Sequence, residues 1–172
     1  GYYIQDFEPL MYPDNSPQAK QALSTYTMIK GCKLFTKTDW TQKMVLDHAG
    51  IDSEVIGISV NVDLFRPRDQ IPFGRKPVNI VAMIRPSTPY RSPIFTLSIL
   101  KKIEKKYGDQ IQIWLFGDND IRENVDQSYL DFNWKQFGKL TQHQVASMLS
   151  KADIFTDFSS HQAMGLTALE AM

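Results

Sequence analysis

Apolar residues occur along this chain in short runs that alternate with stretches of helical spacing. The runs are rich in β-branched and aromatic residues, which is typical of strands. One of them, residues 78–84, is almost continuously apolar, as expected for a strand buried on both faces of a parallel sheet. The pattern predicts strands at residues 2–5, 33–36, 55–60, 78–84, 110–116, 134–137 and 154–158.

Helix signals lie between the first strands. Ser16, followed by a proline, supplies the N-cap of a first helix, and Thr38 supplies that of a second. Gly50 follows the second helix and marks its end. We expect this second helix to turn three apolar side chains into the core, namely Trp40, Val45 and Leu46.

Similar signals recur in the second half of the chain. Ser92, again followed by proline, starts a helix that runs to Tyr107 and stops at Gly108. Thr141 and Gln144 have the spacing of a capping box, which predicts another helix start. Strands that alternate with helices at this pitch predict an α/β fold, a parallel sheet with helices on both faces.

Composition narrows the class of protein. The 172 residues carry 19 basic and 19 acidic side chains, so the formal charge of zero argues against an electrostatic grip on nucleic acid. No apolar run reaches about 18 residues and no signal-peptide pattern opens the chain, so we expect a cytoplasmic protein. The one cysteine, Cys32, is predicted to be a buried strand residue. The chain starts as a strand and stops within a helix pattern, so we expect a fragment of a longer enzyme.

Ligands of open parallel sheets bind outside the carboxyl ends of the strands. The loop after residue 84 carries Arg85 and Arg91, which can hold a diphosphate through charge-assisted, bidentate bonds, or can be solvated loop charges. The loop that begins at Gly117 contains an Asp-Asn-Asp run. This run is either a magnesium site or, as we prefer, ordinary turn chemistry.

The last loop and helix carry the strongest signal. A Ser-Ser-His-Gln turn leads into Gly-Leu-Thr-Ala-Leu-Glu, so backbone N–H groups stay unpaired at a helix start, which suits a diphosphate. Glu170, one turn into that helix, can then reach hydroxyls beside the phosphates. The stretch predicts a sugar-nucleotide site, with an ordinary strand-turn-helix corner as the alternative.

This stretch resembles the donor-site signature of retaining GT-B glycosyltransferases of the family 4 type. Their pattern is a Glu, seven residues and a second Glu, with Gly-Phe-Gly-Leu after the first and Leu-Glu-Ala-Met around the second. Gln162 stands in place of the first Glu, and Ala163 and Met164 replace Gly-Phe. The residues that match as they stand are Gly165, Leu166, Leu169, Glu170, Ala171 and Met172.

The resemblance covers nearly the whole chain and implies a GT-B fold with two Rossmann-like sheets. Residues 1–66 would be the end of the N-terminal, acceptor domain, residues 67–76 a hinge, and residues 77–172 the first half of the nucleotide-sugar domain. The opening, YYIQDFEPLMYP, is most similar to bacterial rhamnosyltransferase-like enzymes that build surface polysaccharides.

The resemblance also implies roles for individual residues. Glu170 would bind the ribose hydroxyls and Gln162 the transferred sugar, although a neutral amide cannot stabilise oxocarbenium charge as a carboxylate does. Asp6 and Glu8 follow a strand and are candidate acids on the acceptor side. The residues that we predict to be catalytic are Asp6, Gln162 and Glu170. Residues expected to touch the donor are Arg85, Arg91, Gly117, Lys139, Leu140, His161, Met164, Gly165, Leu166 and Glu170.

The implied activity is metal-independent transfer of a hexose or deoxyhexose from a nucleoside-diphosphate sugar to a glycan or lipid-linked glycan, with retention of configuration. No cofactor and no nucleic acid partner are expected. Peripheral association of the full-length enzyme with the inner face of a membrane is left open, and we expect the fragment alone to be inactive. Two alternatives stay open, an isomerase similar to nucleotide-sugar 2-epimerases and a non-catalytic sugar-nucleotide-binding module.

Overall fold

The computed structural model describes residues 1–66, 74 and 76–172. The chain divides into two compact units. The first consists of Gly1–Ser59 with His161–Gly165, and the second of Val60–Ser160 with Leu166–Met172. Most of the hinge expected at residues 67–76 lies outside the described residues, so the domain boundary stays a prediction.

The first unit contains a parallel sheet of three strands. Its strands are adjacent in chain order, and a helix connects each strand to the next. The elements are β1 (Tyr2–Ile4), α1 (Pro17–Thr25), β2 (Leu34–Thr36), α2 (Asp39–Ala49) and β3 (Glu54–Val55).

The predicted helix caps of this unit are confirmed. The Ser16 hydroxyl accepts a hydrogen bond from the Ala19 N–H at 3.1 Å, at the start of α1. The Thr38 hydroxyl accepts from the Thr41 N–H at 3.1 Å, at the start of α2. Gly50 ends α2 in the left-handed conformation, with φ of 68°.

Three expectations in this unit are wrong in detail. In α2, Trp40 and Leu46 are 41% and 48% exposed, and only Val45 of the three lies in the core. The most buried residues of the helix are Thr41 and Val45, which are one turn apart, and Trp40 and Leu46 lie outside the face that these two define. The third strand ends at Val55, and the chain soon reaches Gly57, whose φ of 81° is not an extended conformation.

Cys32 also differs from its prediction. It lies before β2, in the loop that leads into the strand, and it is half-buried. The hydrophobic core of the first unit is a cluster from β1, the loop after it, the end of α1, β2 and α2, and its buried members are Ile4, Phe7, Tyr26, Leu34 and Val45.

The second unit contains a four-stranded parallel sheet. The spatial order of its strands is β6-β5-β4-β7, so β4 lies in the middle and the chain order reverses beside it. The elements are β4 (Val78–Met83), α3 (Pro93–Tyr107), β5 (Ile111–Phe116), β6 (Lys135–Gln136), α4 (Gln142–Leu149), β7 (Ile154–Thr156) and α5 (Leu166–Glu170).

Helices cover both faces of this sheet, as predicted. On one face, Leu97 and Leu100 of α3 pack with Ile80, Ile113 and other residues of β4 and β5. On the other face, α4 packs on the sheet through Met148 and Leu149, which lie in a cluster with Val81 and Phe116. The capping box of Thr141 and Gln144 opens α4.

Among the described residues, no helix combines the length and the apolar character needed to cross a bilayer.

The arrangement of the second sheet has a consequence for ligand binding. In doubly wound sheets a crevice forms at the carboxyl ends of the strands where the strand order reverses, which here is the end of β4.

Candidate functional site

A cleft of about 540 Å³ opens at the carboxyl ends of β4, β5 and β6, within the second unit. The ends of these strands and the loops after them form part of its wall, and α4, α5 and Phe65 also contribute. The cleft has a mixed polar and apolar lining. Its lining residues are Phe65, Met83, Arg85, Ser87, Thr88, Phe116, Gly117, Asp118, Lys139, Leu140, Gln142, Val145, Thr167 and Glu170.

Arg85 enters the cleft from the loop after β4. Its side chain is exposed, and its carbonyl accepts from the Thr88 N–H at 3.0 Å, which closes a turn. Ser87 and Thr88, which belong to this turn, also line the cleft. A guanidinium with two neighbouring hydroxyls is a donor set that suits a phosphate group.

Gly117 forms part of the cleft at the end of β5. Its φ is +110°, and a Cβ there would lie 2.9 Å from the Ile84 carbonyl oxygen and 3.4 Å from Arg85 Cγ. Its N–H donates to the Gly138 carbonyl at 2.9 Å. The ends of β4, β5 and β6 are therefore packed tightly at this edge of the sheet, and a side chain at position 117 would disturb them.

The acids that follow Gly117 bind their own backbone. Asp118 accepts from the Asn119 N–H at 2.7 Å, and Asp120 accepts from the Arg122 N–H at 2.9 Å. Such bonds are ordinary turn chemistry. Within the described ranges, no three His, Cys, Asp or Glu residues are grouped so that they could hold a metal ion. Independence from metal stays a prediction.

Lys139 and Leu140 lie where β6 leads into α4, and both line the cleft. Gly138 precedes them with φ of +69°, so the chain turns sharply after the strand. Lys139 adds a second cation to the cleft that contains Arg85. Two basic side chains in one cleft can together balance the negative charge of a diphosphate.

Glu170 and Thr167 lie three residues apart on α5, and both face the cleft. Burial raises the pKa of the Glu170 carboxyl above its ordinary value. A carboxylate kept in a partly desolvated position is a candidate for binding ligand hydroxyl groups. Arg85 and Glu170, the two residues on which the sequence argument depended most, thus open onto one cleft.

Arg91 was predicted to bind the donor beside Arg85, and that role stays a prediction. It is not among the cleft-lining residues of the described chain, and its Nη1 lies 4.0 Å from Asp157 Oδ2. Beside it, the Tyr90 carbonyl accepts from the N–H and the hydroxyl of Ser160, at 2.9 and 3.1 Å. Arg91 therefore helps to tie the loop after β4 to the loop after β7.

The segment of residues 161–165 belongs to the first unit. This segment contains four of the predicted site residues, His161, Gln162, Met164 and Gly165. In this segment the Ala163 N–H donates to Asp6 Oδ1 at 2.9 Å. Leu166, the first residue of α5, is exposed in the second unit. Roles in donor binding or catalysis stay predictions for Asp6, His161, Gln162, Met164, Gly165 and Leu166.

Sequence reasoning missed several cleft residues. Ser87 and Thr88 lie in the loop that it had identified, but only the arginines of that loop were selected. Thr167 gave a signal too, since it lies three residues before Glu170 and therefore on the same helical face. Gln142 gave none, because the outward-facing start of a helix looks the same whether it faces solvent or a cleft.

No protein-family model and no curated protein sequence matches this chain. Solved structures do match it. Sucrose-phosphate synthase from Thermosynechococcus elongatus matches 98% of this chain with a TM-score of 0.71 and 18% identity, over 46% of its own length. A mutant of S. aureus TarM, in complex with fondaparinux, alpha-GlcNAc-glycerol and UDP, matches 99% of this chain with a TM-score of 0.64 and 14% identity, over 34% of its length.

A third match is the trehalose-6-phosphate synthase OtsA, with a TM-score of 0.60 and 12% identity over 98% of this chain and 48% of its own. This chain thus spans less than half the length of each of these three proteins. At such low identity the likeness establishes architecture. The chain has the GT-B fold, with parallel sheets flanked by helices.

Proposed function

We propose that the chain is the donor-binding part of a glycosyltransferase that uses a nucleoside-diphosphate sugar. The observation that carries this proposal is the shared cleft of Arg85 and Glu170 at the carboxyl ends of parallel strands. Sugar nucleotides need a cation for the diphosphate and an acceptor for the ribose hydroxyls. The cleft offers both, Arg85 from a loop and Glu170 from α5.

Each group in the cleft has a part in this proposal. Arg85 and Lys139 carry the positive charge that balances the leaving diphosphate, and the hydroxyls of Ser87 and Thr88 donate to its oxygens. The carboxylate of Glu170 accepts hydrogen bonds from the ribose. Leu140 and Gly117 give a close, uncharged surface of the kind that a flat nucleobase can contact.

The solved structures of similar fold support the same class of reaction. The matching S. aureus TarM structure contains UDP, and two other matches are named as synthases of sugar phosphates. By analogy with that fold, the donor sugar would be a hexose or deoxyhexose and the acceptor a glycan or a lipid-linked glycan. Rhamnosyl transfer, retention and independence from metal belong to this proposal.

Binding of the bare nucleotide tests the donor site. Titration of the 172-residue chain with UDP, GDP and dTDP by isothermal calorimetry should identify one preferred base. If the Arg85 bonds to phosphate contribute about 2 kcal/mol, Arg85→Ala raises the Kd about thirtyfold. Arg122→Ala is the matched control, since Arg122 lies over the Trp134 ring and not in the cleft. Equal affinities in the wild type and Arg85→Ala would refute the site.

Product analysis separates the proposal from its two alternatives. The full-length protein, incubated with a sugar nucleotide and a glycan acceptor, should release free nucleoside diphosphate and form a new glycoside. An isomerised sugar nucleotide would indicate the epimerase-like reaction. Tight binding with no product from any donor and acceptor would indicate a binding module, which Gln162 in place of a carboxylate favours. We expect no transfer by the 172-residue chain alone.

A further inference from the structure

Two acids flank a buried aromatic residue directly after β1. Phe7 is 3% exposed and contacts the rings of Tyr26 and His48, with centroid distances of 5.9 and 5.2 Å. The acids on either side of it, Asp6 and Glu8, are only partly buried. Phe7 therefore fixes the backbone between two carboxylates whose side chains have different partners.

Glu8 is bound to the end of α1. The Tyr26 hydroxyl donates a short hydrogen bond to Glu8 Oε2, and the Glu8 N–H donates to the Tyr26 oxygen at 3.2 Å. Burial and the neighbouring Glu8 carboxylate raise the pKa of Tyr26, so its hydroxyl keeps its proton and remains a donor. This pair holds the loop after β1 from its far side.

Asp6 has two backbone partners, and both donate to the same oxygen. Its Oδ1 accepts from the Phe7 N–H at 2.9 Å and from the Ala163 N–H at 2.9 Å. The first bond is local and orients the carboxylate. The second joins residues that are 157 positions apart in the chain, and it fixes the backbone next to Gln162.

From these contacts we infer that Asp6 is a positioning residue, which holds the segment of residues 161–165 through the Ala163 amide. This role differs from the acid that we predicted from the sequence. The contact itself does not depend on the proposed function. Only its expected effect on turnover rests on that proposal, in which Gln162 contacts the transferred sugar. Because the burial of Phe7 and the bond of Glu8 to Tyr26 hold the loop after β1, Asp6 Oδ1 has a fixed position when it accepts from the Ala163 N–H.

Hydrogen exchange at the Ala163 amide tests the contact without any substrate. In ¹⁵N NMR spectra of the 172-residue chain, Asp6→Ala should speed exchange of this amide about tenfold, the effect of losing one hydrogen bond of ordinary strength. Asp6→Asn should keep the slow rate, because the asparagine Oδ1 can accept both bonds. The Phe7 amide also loses its acceptor in Asp6→Ala. Amide signals away from residue 6 and the segment of residues 161–165 should stay in place, which shows that the fold is intact.

Asp52→Ala is the matched control. Asp52 makes the same local bond, from the Ser53 N–H to its Oδ1 at 2.9 Å, but it has no bond to residues 161–165. The rate at Ala163 should therefore not change in this variant. Unchanged exchange at Ala163 in Asp6→Ala would overturn the inference.

Turnover of the full-length protein separates positioning from acid-base chemistry. We expect Asp6→Ala to lower kcat/KM about tenfold and Asp6→Asn to stay within about threefold of the wild type. A general acid or base would lose about 10²–10⁴ in rate in both variants, and this result would overturn the inference. Absence of transfer by the wild type would refute the proposed function alone, because the amide test needs no turnover.

Discussion

Gly117 and Ile84 approach each other so closely that a Cβ on Gly117 would lie 2.9 Å from the Ile84 carbonyl oxygen. Their strands are neighbours, and the Ile84 N–H donates to the Phe116 carbonyl at 2.7 Å just before the contact. Arg85 follows Ile84 directly. The glycine thus sets how near the end of β5 can come to the arginine that we propose as the phosphate ligand.

Replacing Gly117 with alanine should therefore affect both stability and binding. The new methyl group meets backbone that cannot yield easily, and φ of +110° is strained for any L side chain. We expect a loss of about 1–3 kcal/mol in unfolding free energy, measured by urea denaturation, and weaker binding of the preferred nucleotide.

Gly138→Ala provides the comparison for this variant. Gly138 also has positive φ, +69°, but its nearest neighbours would be 3.8 Å from a new Cβ, which is ordinary contact. It should lose less stability than Gly117→Ala. Equal losses of unfolding free energy in the two variants would mean that the close approach at Gly117 does not affect stability.

The sequence predicted the elements well where local chemistry decides them. The Ser16 and Thr38 caps, the Gly50 stop and the capping box at Thr141 each depend on residues within about four positions. The continuous apolar run of β4 likewise predicted a strand buried on both faces of a parallel sheet, and β4 is an inner strand of such a sheet. Such features need no knowledge of the rest of the molecule.

The predictions were weaker where distant residues decide the outcome. The pairing of Arg91 with Asp157 depends on β7 lying next to β4, and the bond from Ala163 to Asp6 depends on an approach across most of the chain. In α2 the helix was predicted, but its inward face was not, because Trp40 and Leu46 are apolar yet exposed. Burial is decided by packing partners that periodicity alone does not identify.

Arg91 should contribute little to donor binding. Because it is paired with Asp157 and is not among the residues that line the cleft, we expect Arg91→Ala to change the Kd for the preferred nucleotide by less than about threefold, whereas Arg85→Ala changes it about thirtyfold. Calorimetric titration of both variants measures the difference. A large effect of Arg91→Ala, with unchanged stability, would restore it as a phosphate ligand.

Asp153 should matter for stability. Its Oδ2 accepts from the Asn79 N–H at 2.7 Å, and its own N–H donates to the Asn79 carbonyl at 2.9 Å, so it joins the start of β7 to β4. Asp153→Ala leaves a buried N–H without its acceptor and should lower the unfolding free energy by about 1–3 kcal/mol.

Asp153→Asn keeps an acceptor oxygen and should lose clearly less, and Asp109→Ala, at an exposed site after α3, should lose almost nothing. Urea denaturation of the three variants ranks them. If Asp153→Ala were as stable as Asp109→Ala, the bond between these two strands would contribute nothing measurable.

The charged carboxylate of Glu170 should lower the stability of the folded chain at neutral pH. Its pKa is raised in the folded chain, so the folded state binds the proton more tightly than the unfolded state does. The stability associated with this proton is complete below the unfolded pKa and is lost as pH rises through the folded pKa. Glu170→Gln should therefore have a higher Tm than the wild type at pH 7–8.

The difference in Tm should shrink as the pH falls through the carboxylate range, because the wild-type side chain is then neutral as well. The same variant should bind the preferred nucleotide more weakly, since an amide accepts hydroxyl bonds less strongly than a carboxylate. Glu123→Gln, which lies outside the cleft, serves as the control for both measurements. A Tm for Glu170→Gln that is equal to or below that of the wild type at pH 7.5 would contradict the desolvation of this carboxylate. A higher Tm together with weaker binding would show that the Glu170 carboxylate lowers the stability of the folded chain and is needed for ligand recognition.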